Sequence, residues 1–385
     1  MTKQFLEFIY KYHYHLQHIN DFNAVKVVLG NTSCDLDSVV CALVYSFYLH
    51  MTESTSESCK VSVIPVLNIQ EKDLPIKTEV CYFLKLNNIP LKKLVFRDSL
   101  DLAKLSSEKK LELVLVDHHV LPHKDANLAS SVVEIIDHRP RDLSVVWKDV
   151  KTTIERVGSC ASLVGRILLE SEFCSLDRTV AQLIAGPIIL DTANFSETYG
   201  QSTEVDENVY AKLNELWDDL IPPADLFQQL SDAKQDVSSL TAEQILGKDM
   251  KVAGSVPIAG FPFLIQDIVS GKRIFENFMQ AVADLGTVNK SRLVVLLGLH
   301  AGSDANDQIE RDLGVYSNHS SISEKFVEFL KNEAAFLQLA PVCNENPVLQ
   351  NLSVFKVLNT KASRKAVLPL VMDFQNRFSD ILSDK

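Results

Sequence analysis

The 385-residue sequence lacks the motifs and compositional signs of several large protein classes. No apolar run reaches the roughly 18 residues that a membrane-spanning helix requires. The seven scattered cysteines include no Cys-x-x-Cys pair, which argues against a zinc ribbon or a disulfide framework and predicts free thiols. The Walker motif, the G-x-G-x-x-G fingerprint and the G-x-S-x-G elbow are all missing. ATP-driven chemistry, dinucleotide binding and serine hydrolysis are therefore not expected.

An excess of positive charge is also missing, since the formal net charge is −12 and the pI is near 5.3. Duplex nucleic acids are bound by basic surfaces, so we expect no nucleic-acid duplex as a partner. A small phosphate substrate stays compatible with this charge, because a few cations and bound metal ions create a local positive field. The composition gives no indication about protein partners.

The N-terminal residues lack the basic, apolar and small-residue order of a signal peptide. They predict instead an amphipathic helix with Phe5, Phe8, Ile9, Tyr12 and Leu16 on one face. Together with the lack of a long apolar run, this predicts a cytoplasmic protein with no membrane partner, and it leaves organelle import open.

The first half of the chain alternates β-branched runs with helical patterns. Candidate strands are 24–29, 61–67, 93–96, 111–116 and 132–136, and helices are expected at 38–48 and 160–169. Continuous apolar strands separated by helices are typical of a parallel sheet covered on both faces. The predicted fold class is therefore α/β with a doubly wound, mainly parallel sheet, whose ligands bind at the carboxyl ends of the strands.

A change of pattern near Pro222 and Pro223 predicts a second domain. We expect a catalytic domain over residues 1–215, a linker over 216–235 and a smaller α/β domain over 236–385. A polar helical stretch is expected at 225–251. Beyond it, strand patterns occupy 252–259, 292–300, 313–316 and 354–358, and helical patterns occupy 274–285 and 322–333.

Acidic and imidazole side chains follow apolar runs at four places in the first half. The four segments are Asn31-Thr-Ser-Cys-Asp35-Leu-Asp37, Asp117-His118-His119, Asp137-His138-Arg139 and Asp191-Thr-Ala-Asn194. A single aspartate in such a position is usually a turn former or a helix N-cap. Several of them at one sheet edge would repel one another unless cations lay between them. The set therefore predicts a site for divalent metal ions.

The ligand types narrow the choice of metal. Oxygen-rich sites with one imidazole suit Mg²⁺ or Mn²⁺ better than Zn²⁺. Two such ions about 3.5–4 Å apart would share a water, lower its pKa and clamp a phosphoryl oxygen. Asp117 is the best candidate for the ligand that bridges them.

These motifs resemble those of the DHH phosphoesterase superfamily. Asp35-Leu-Asp37 is similar to its Asp-x-Asp signature, and Asp137-His138-Arg139 is similar to its Asp-His-His signature in the Asp-His-Arg form of the prune branch. The second half resembles the DHHA2 domain of family II pyrophosphatases and exopolyphosphatases. The resemblance covers nearly the whole chain and implies a DHH domain followed by a DHHA2-like substrate-binding domain, with the active site in the cleft between them.

The resemblance also implies metal ligands. One ion would be held by Asp35 and Asp117 together with Asn31. The other would be held by Asp37, Asp117, His138 and Asp191. Asn31 stands where family II pyrophosphatases carry a histidine, so its site should favour Mg²⁺, because an amide oxygen binds transition metals more weakly than imidazole does.

Substrate contacts follow from the same resemblance. Arg139 would be both a catalytic and a substrate-binding residue, stabilising charge on phosphoryl oxygens. Lys251 and Arg364 would bind phosphates beyond the scissile one. Lys365, His300 and Arg311 are weaker candidates, because surface Lys and Arg are commonly only solvated. His300 closes an apolar strand, so a role in the core or in orienting another residue is equally compatible with its position.

Ser159 and His118 each have two possible roles. Ser159 begins a helical run, where backbone N–H groups could bind a substrate anion or the residue could be a plain N-cap. Asp117-His118-His119 has the letters of the Asp-His-His signature, but by position it corresponds to a different motif of the family, in which the aspartate is the ligand. His118 is therefore expected near the metals, either as a catalytic group or as one that orients a ligand. His119 is expected to be structural or exposed.

The resulting hypothesis is a hydrolase of phosphoanhydride bonds. It would be an exopolyphosphatase that removes terminal phosphate from short inorganic polyphosphates by two-metal activation of a bridging water. The alternatives are a cyclic nucleotide phosphodiesterase, an activity to which prune proteins have been linked, and a regulatory or interaction protein with weak residual hydrolase activity. A nuclease is less expected, because the sequence has no basic stripe and no aromatic platform for single strands.

Overall fold

The computed structural model describes residues 3–52, 60–171, 176–198, 201–300, 309–343 and 349–382. The chain divides into two compact units, Met1–Asp236 and Val237–Lys385.

The first unit is built around a parallel sheet. Its strands are β1 (Ala24–Leu29), β2 (Val61–Val66), β3 (Leu111–Val116), β4 (Val132–Asp137) and β5 (Lys151–Ile154). They are arranged in the order β2-β1-β3-β4-β5, and each neighbouring pair is parallel. β1 to β4 consist largely of buried valine, leucine and isoleucine, which suit strands covered on both faces. The predicted α/β class with a mainly parallel sheet is confirmed.

Two strand predictions differ from the structure. The predicted strand at 93–96 is wrong, because Leu91–Lys93 forms a 3-10 turn and Phe96 makes an isolated bridge with Leu67. Strand β5 is absent from the prediction. Its residues are half-buried or exposed, so the sequence Lys-Thr-Thr-Ile carries no apolar run by which to recognise an edge strand.

Helices connect the strands and pack on the sheet. They are α1 (Lys3–Gln17), α2 (Leu36–Thr52), α3 (Thr78–Leu86), α4 (Leu102–Ser107), α5 (Cys160–Glu170), α6 (Arg178–Asp191), α7 (Glu204–Leu216) and α8 (Pro223–Gln235). α1 contacts β2, α2 contacts β1, α4 contacts β3 and α5 contacts β4. The predicted apolar face of α1 is confirmed, because Phe5, Phe8, Ile9 and Tyr12 are buried and Leu16 packs against the same core.

The segment expected to be a linker, 216–235, belongs to the first unit. Most of it is helix α8, which begins with Pro223 at a position where proline suits a helix start. Leu226 and Leu230 of α8 are buried, and the helix packs against α3 and α6. The division between the units falls at Asp236 and Val237.

The second unit contains a mixed sheet with helices on it. Its strands are β6 (Met250–Ala253), β7 (Val256–Phe261), β8 (Val294–His300), β9 (Glu310–Tyr316), β10 (Leu339–Val342) and β11 (Leu352–Val357), and its helices are α9 (Ala242–Lys248), α10 (Ile265–Val269), α11 (Phe278–Val288), α12 (Ser320–Glu333) and α13 (Arg364–Leu382). The strand order is β10-β11-β9-β8-β7-β6, with β7 and β8 parallel and the other neighbours antiparallel. Two clusters of buried apolar side chains pack around this sheet.

The run at 252–259, predicted as one strand, is a hairpin. Gly254 has a φ of 63°, in the left-handed region, and it separates β6 from β7. The polar stretch predicted as one helix at 225–251 likewise contains α8, an irregular segment and α9. Helix α13 was not anticipated.

Five cysteines are free: Cys34, Cys41, Cys81, Cys160 and Cys343. Cys59 and Cys174 lie outside the described residues. Within the described part of the chain, none of the helices combines the length and the hydropathy that crossing a membrane requires.

Histidines near helix α1 make the stability of the first unit depend on pH. Burial and the charge of Lys11 lower the pKa of both His15 and His50 to about 4, from an ordinary value of 6.5. In the unfolded chain both histidines have their ordinary pKa of 6.5. Between pH 6.5 and pH 4 the unfolded state therefore binds more protons than the folded state. The stabilisation by these neutral rings is therefore complete above pH 6.5 and is lost as the pH falls toward 4.

We expect the double substitution His15→Gln with His50→Gln to reduce the loss of unfolding free energy between pH 7 and pH 5 by about 1 kcal/mol, a figure discounted for the solvent contact of both rings. Urea unfolding at both pH values measures this. The control pair, His123→Gln with His319→Gln, replaces exposed rings and should leave the pH dependence unchanged. An identical pH dependence in wild type and the His15/His50 variant would contradict the assignment.

Candidate metal centre

Three candidate ligands meet at the carboxyl edge of the first unit's sheet. Asp117 and His138 directly follow the adjacent strands β3 and β4, and Asp37 lies in the first turn of α2, which follows the neighbouring strand β1. One ligand atom from each of these three residues lies within 4.8 Å of the others. The sequence spacing of about 80 and 20 residues gives no hint of this proximity, which arises because parallel strands end at a common edge.

Asp37 is held by the N-terminus of helix α5. Its carboxylate accepts hydrogen bonds from the backbone N–H groups of Cys160 and Ala161, at 2.7 and 2.8 Å. The Ser159 hydroxyl donates a third, at 2.8 Å. The exposed N–H groups and the dipole of a helix N-terminus favour a negative charge, so this contact orients Asp37 and stabilises its ionised form.

The contact with Asp37 also corrects the expectation for Ser159. Ser159 is fully buried, and its hydroxyl points to Asp37. The anion bound at this helix N-terminus is therefore the Asp37 carboxylate of the chain itself, and Ser159 orients a candidate ligand instead of binding substrate directly.

Asp117 has an unusual backbone conformation at the end of β3. Its φ of 60° lies in the left-handed region, which costs energy for a residue other than glycine. Its carboxylate is buried and contacts the Asn31 amide nitrogen at 2.5 Å, His138 Nε2 at 3.3 Å and the Arg139 guanidinium at 3.3 Å. A strained, buried acid whose partners are all side chains is typical of a functional position.

His138 presents one ring nitrogen to the acids. Its Nδ1 donates to the Val157 carbonyl at 3.0 Å, so this nitrogen carries the hydrogen. Nε2 lies 3.3 Å from Asp117 Oδ1 and 3.8 Å from Asp37 Oδ2. A histidine fixed through one nitrogen to a carbonyl is the usual arrangement of a metal ligand, because it orients the lone pair of the other nitrogen.

The electrostatics of the cluster favour a cation. Burial and the charge of Asp37 raise the pKa of Asp117 to about 7, and burial also raises the pKa of Asp37 itself. Burial lowers the pKa of His138, but Asp117 and Asp37 outweigh it and raise that pKa to about 10. The same negative field that draws a proton to the imidazole attracts a divalent metal ion.

Asp35 and Asp191 border the cluster. Asp35 accepts a hydrogen bond from the Ser38 backbone at 3.2 Å, which caps helix α2 as the simpler interpretation predicted. Asp191 is the last residue of helix α6, so it follows a helix and not a strand. Desolvation and the charges of Asp37 and Asp35 raise the pKa of Asp191 well above its ordinary value. Asp191 keeps solvent contact at the end of the helix.

Asn31 presents its amide nitrogen to the cluster. Nδ2 donates to the Asp117 carboxylate, while Oδ1 accepts hydrogen bonds from the backbone N–H of Ser33 at 2.8 Å and of Cys34 at 3.1 Å. An amide nitrogen does not bind a cation, and the oxygen that could is occupied. In this arrangement Asn31 orients Asp117, and its assignment as a ligand stays a prediction.

His118 and His119 have different environments. His118 donates from Nδ1 to the Val116 carbonyl at 2.9 Å, and burial lowers its pKa, so the ring is neutral. Its Nε2 is buried and has no hydrogen-bond partner among the described residues. His119 is structural, as expected, but buried: Nδ1 binds the Asp137 carboxylate and Nε2 accepts the Asp142 N–H at 2.8 Å.

Asp137 is not a ligand in this arrangement, although it begins the signature motif. Its carboxylate is fully buried and accepts hydrogen bonds from His119 and from the backbone N–H groups of His138 and Arg139, at 2.8 and 3.2 Å. Asp137 therefore shapes the turn that carries His138 and Arg139. Arg139 is about half exposed and reaches back to Asp117.

The cations predicted for substrate binding in the second unit are partly grouped. Arg364 and Lys365 line a cavity of about 300 Å³ together with Arg311 and Asp249. Arg364 forms an ion pair with the Asp249 carboxylate, so part of its charge is neutralised. Lys251 is exposed on β6 and does not line this cavity, and His300 is exposed at the end of β8.

Arg156 is a cationic residue that the sequence did not indicate. It follows strand β5 and lines a cavity of about 690 Å³ that also contains His138 and Arg139. The signal that could have revealed it is its position two residues beyond a strand end, but β5 itself is too polar to be recognised.

The donor set fits a divalent cation of the Mg²⁺ or Mn²⁺ type. Asp37, Asp117 and His138 supply carboxylate oxygens and one imidazole nitrogen, and hydrogen bonds from α5 and Val157 orient them. Buried Cys34 and Cys160 lie in the surrounding segments, and burial raises the pKa of each thiol to about 12, so neither is poised as a thiolate ligand.

The chain is similar to known proteins over most of its length. The DHHA2 domain model matches residues 228–374. The chain is 35% identical over 364 residues to exopolyphosphatase PRUNE1 of Bos taurus and 34% identical to that of Homo sapiens, in both cases over 94% of this chain and 78% of the relative. An exopolyphosphatase-related protein of Bacteroides fragilis shares 14% identity at a TM-score of 0.42, over 96% of this chain and 97% of the other. The Asp-x-Asp and Asp-His-Arg motifs of the chain resemble those of DHH phosphoesterases. The extent of the similarity to PRUNE1 shows that the chain belongs to the prune family of these phosphoesterases.

Proposed function

We propose that this protein is a metal-dependent hydrolase of phosphoanhydride bonds, and specifically an exopolyphosphatase that releases terminal phosphate from short inorganic polyphosphates. The observation that carries the proposal is the cluster of Asp37, Asp117 and His138, whose ligand atoms lie within 4.8 Å of one another in a buried, negative environment. The relatives named exopolyphosphatase support the substrate class.

In this proposal the side chains of the cluster either bind a cation or orient a residue that does. Asp35 and Asp117 hold one divalent cation, and the second cation is held by Asp37, Asp117, His138 and Asp191. Asn31 fixes the orientation of Asp117, and the N-terminus of α5 fixes Asp37. Bound Mg²⁺ or Mn²⁺ supplies Lewis acidity toward a phosphoryl oxygen and an activated water.

Arg139 provides a fixed positive charge beside these ligands. Its guanidinium is anchored to Asp117 at 3.3 Å and keeps 48% of its side chain exposed. A planar guanidinium binds phosphoryl oxygens through two hydrogen bonds. It loses little conformational entropy on binding, because its donors are already fixed in one plane. Arg139 therefore stabilises negative charge that develops on the terminal phosphate.

Replacing Asp117 tests the catalytic role of the cluster. We expect Asp117→Asn to lower phosphate release from tripolyphosphate about a thousandfold, because metal-ion catalysis contributes several kcal/mol to the barrier. Asp149→Asn is a matched control, since Asp149 is exposed and shares the left-handed backbone, with a φ of 58° against 60° for Asp117. The control should retain wild-type activity with Mg²⁺ or Mn²⁺.

The same assay distinguishes the substrates. Pyrophosphate and cyclic AMP are tested beside tripolyphosphate. Activity that survives in Asp117→Asn would remove the metal cluster from the mechanism. Turnover of cyclic AMP without turnover of either inorganic substrate would refute the exopolyphosphatase assignment and leave a phosphodiesterase.

Metal binding should also stabilise the fold. A cation that binds the folded state at a concentration of 100 Kd adds about 2.7 kcal/mol, and in this case it also relieves repulsion between buried carboxylates. We expect Mg²⁺ or Mn²⁺ to raise the unfolding temperature of the wild type by about 5–10 °C. In calorimetry, Asp37→Asn should lose most of this increase and Asp149→Asn should keep it. The same increase in Asp37→Asn would place the bound cation elsewhere.

A further inference from the structure

A cavity of about 690 Å³ adjoins the candidate metal centre within the first unit. His138, Arg139, Arg156, Val157, Gln201 and Ser202 contribute to its lining. This volume is in the range of small-molecule binding sites. Since His138 and Arg139 line it, a ligand held at the metal centre has direct access to the cavity.

The lining is positively charged. Arg139 and Arg156 both line the cavity, and no carboxylate does so among the described residues that form it. The acid nearest to Arg156 in sequence, Glu155, is paired with Arg166 at 2.5 Å. Arg156 itself is exposed and makes no hydrogen bond or ion pair with the residues that the structure describes.

The acids around the cavity are engaged elsewhere. Asp206 is fully buried and accepts hydrogen bonds from Gly158 N–H at 2.8 Å, from the Ser162 hydroxyl at 2.5 Å and from Thr203 N–H at 2.8 Å. Glu207 is exposed and accepts a hydrogen bond from the Ser202 hydroxyl at 3.1 Å. Neither carboxylate pairs with Arg156, so the positive charge of Arg156 stays available to an anion, whereas Arg139 is paired with Asp117.

The sheet places the two arginines side by side. Asp137, the last residue of β4, pairs in register with Ile154, the last residue of β5. Arg139 and Arg156 each follow these paired residues by two positions, so they leave the same edge on adjacent parallel strands. Val157, which follows Arg156, accepts the hydrogen bond from His138 Nδ1. The backbone that carries Arg156 is thereby tied to a candidate metal ligand.

We propose that Arg156 binds a second phosphoryl group of an inorganic polyphosphate, next to the terminal group held by Arg139 and the metal centre. The proposal deepens the proposed function and rests on it for the identity of the substrate. Arg156 is then a specificity residue: it favours condensed phosphates over a single phosphate, because only the former reach both the metals and the arginine pair. Guanidinium groups suit this role, since they bind phosphate oxygens through charged, paired hydrogen bonds.

The test uses binding without turnover. Methylenediphosphonate, in which carbon replaces the bridging oxygen, and orthophosphate are titrated calorimetrically into the full-length protein with Mg²⁺. We expect Arg156→Gln to raise the Kd of methylenediphosphonate about five- to twentyfold, from the loss of a charged hydrogen bond. The Kd of orthophosphate should change less than twofold. Arg156→Lys should recover part of the affinity.

Arg141→Gln is the matched control. Arg141 is exposed, lies close in sequence to Arg139, does not line the cavity and has the same charge as Arg156. Its replacement should change neither Kd more than twofold, whereas a general effect of net charge would affect both variants equally and refute the specific site. In kinetics with tripolyphosphate, Arg156→Gln should raise KM while kcat stays within about threefold.

The outcomes separate the two proposals. A wild type that binds methylenediphosphonate through Arg156 but hydrolyses no polyphosphate supports the two-phosphate site and overturns the exopolyphosphatase function. A wild type that hydrolyses tripolyphosphate while Arg156→Gln binds methylenediphosphonate unchanged overturns the site and leaves the function intact. A wild type that neither binds methylenediphosphonate nor hydrolyses tripolyphosphate overturns both the two-phosphate site and the exopolyphosphatase function.

Discussion

The contact between the Asp37 carboxylate and the N-terminus of helix α5 is the interaction on which the candidate site depends. It joins the helix that follows β1 to the helix that packs on β4. It also keeps a negative charge in the protein interior, where an unpaired carboxylate would be strongly disfavoured. Two backbone N–H groups and one hydroxyl compensate part of that cost, and they leave Asp37 facing Asp117 and His138. The fold thereby supports a concentration of acidic groups that calls for a cation.

The buried acids of the first unit serve two different purposes. Asp137 and Asp206 each accept hydrogen bonds from backbone N–H groups of nearby turns, which satisfies the buried carboxylates and fixes the turns. Asp117 differs, because its carboxylate contacts the side chains of Asn31, His138 and Arg139. Asp37 combines both features, since it accepts backbone N–H groups of α5 and also faces Asp117 and His138. Composition cannot show which partners each acid meets.

The same parallel sheet places cations beside the acids. Asp117 and His138 follow β3 and β4, and Arg156 follows the adjacent edge strand β5. A negative cluster beside a positive cavity suits a substrate whose phosphates need both metal ions and guanidinium groups. Under the proposed function, this arrangement gives an acidic chain a local positive charge for its phosphate substrate.

The amino-acid sequence alone predicts the α/β class, strands β1 to β4, the buried face of α1, and the acids and imidazoles that the fold brings together. These features are local, since they depend on apolar periodicity and on polar residues at the ends of apolar runs. Tertiary structure alone decided that the anion at the start of α5 is Asp37, that Asn31 turns its nitrogen to Asp117, and that Asp137 supports a turn. It also decided that the half-exposed strand β5 places Arg156 beside Arg139. Each of these depends on which donor meets which acceptor across segments distant in the chain, and the local periodicity of a sequence carries no information about such pairings.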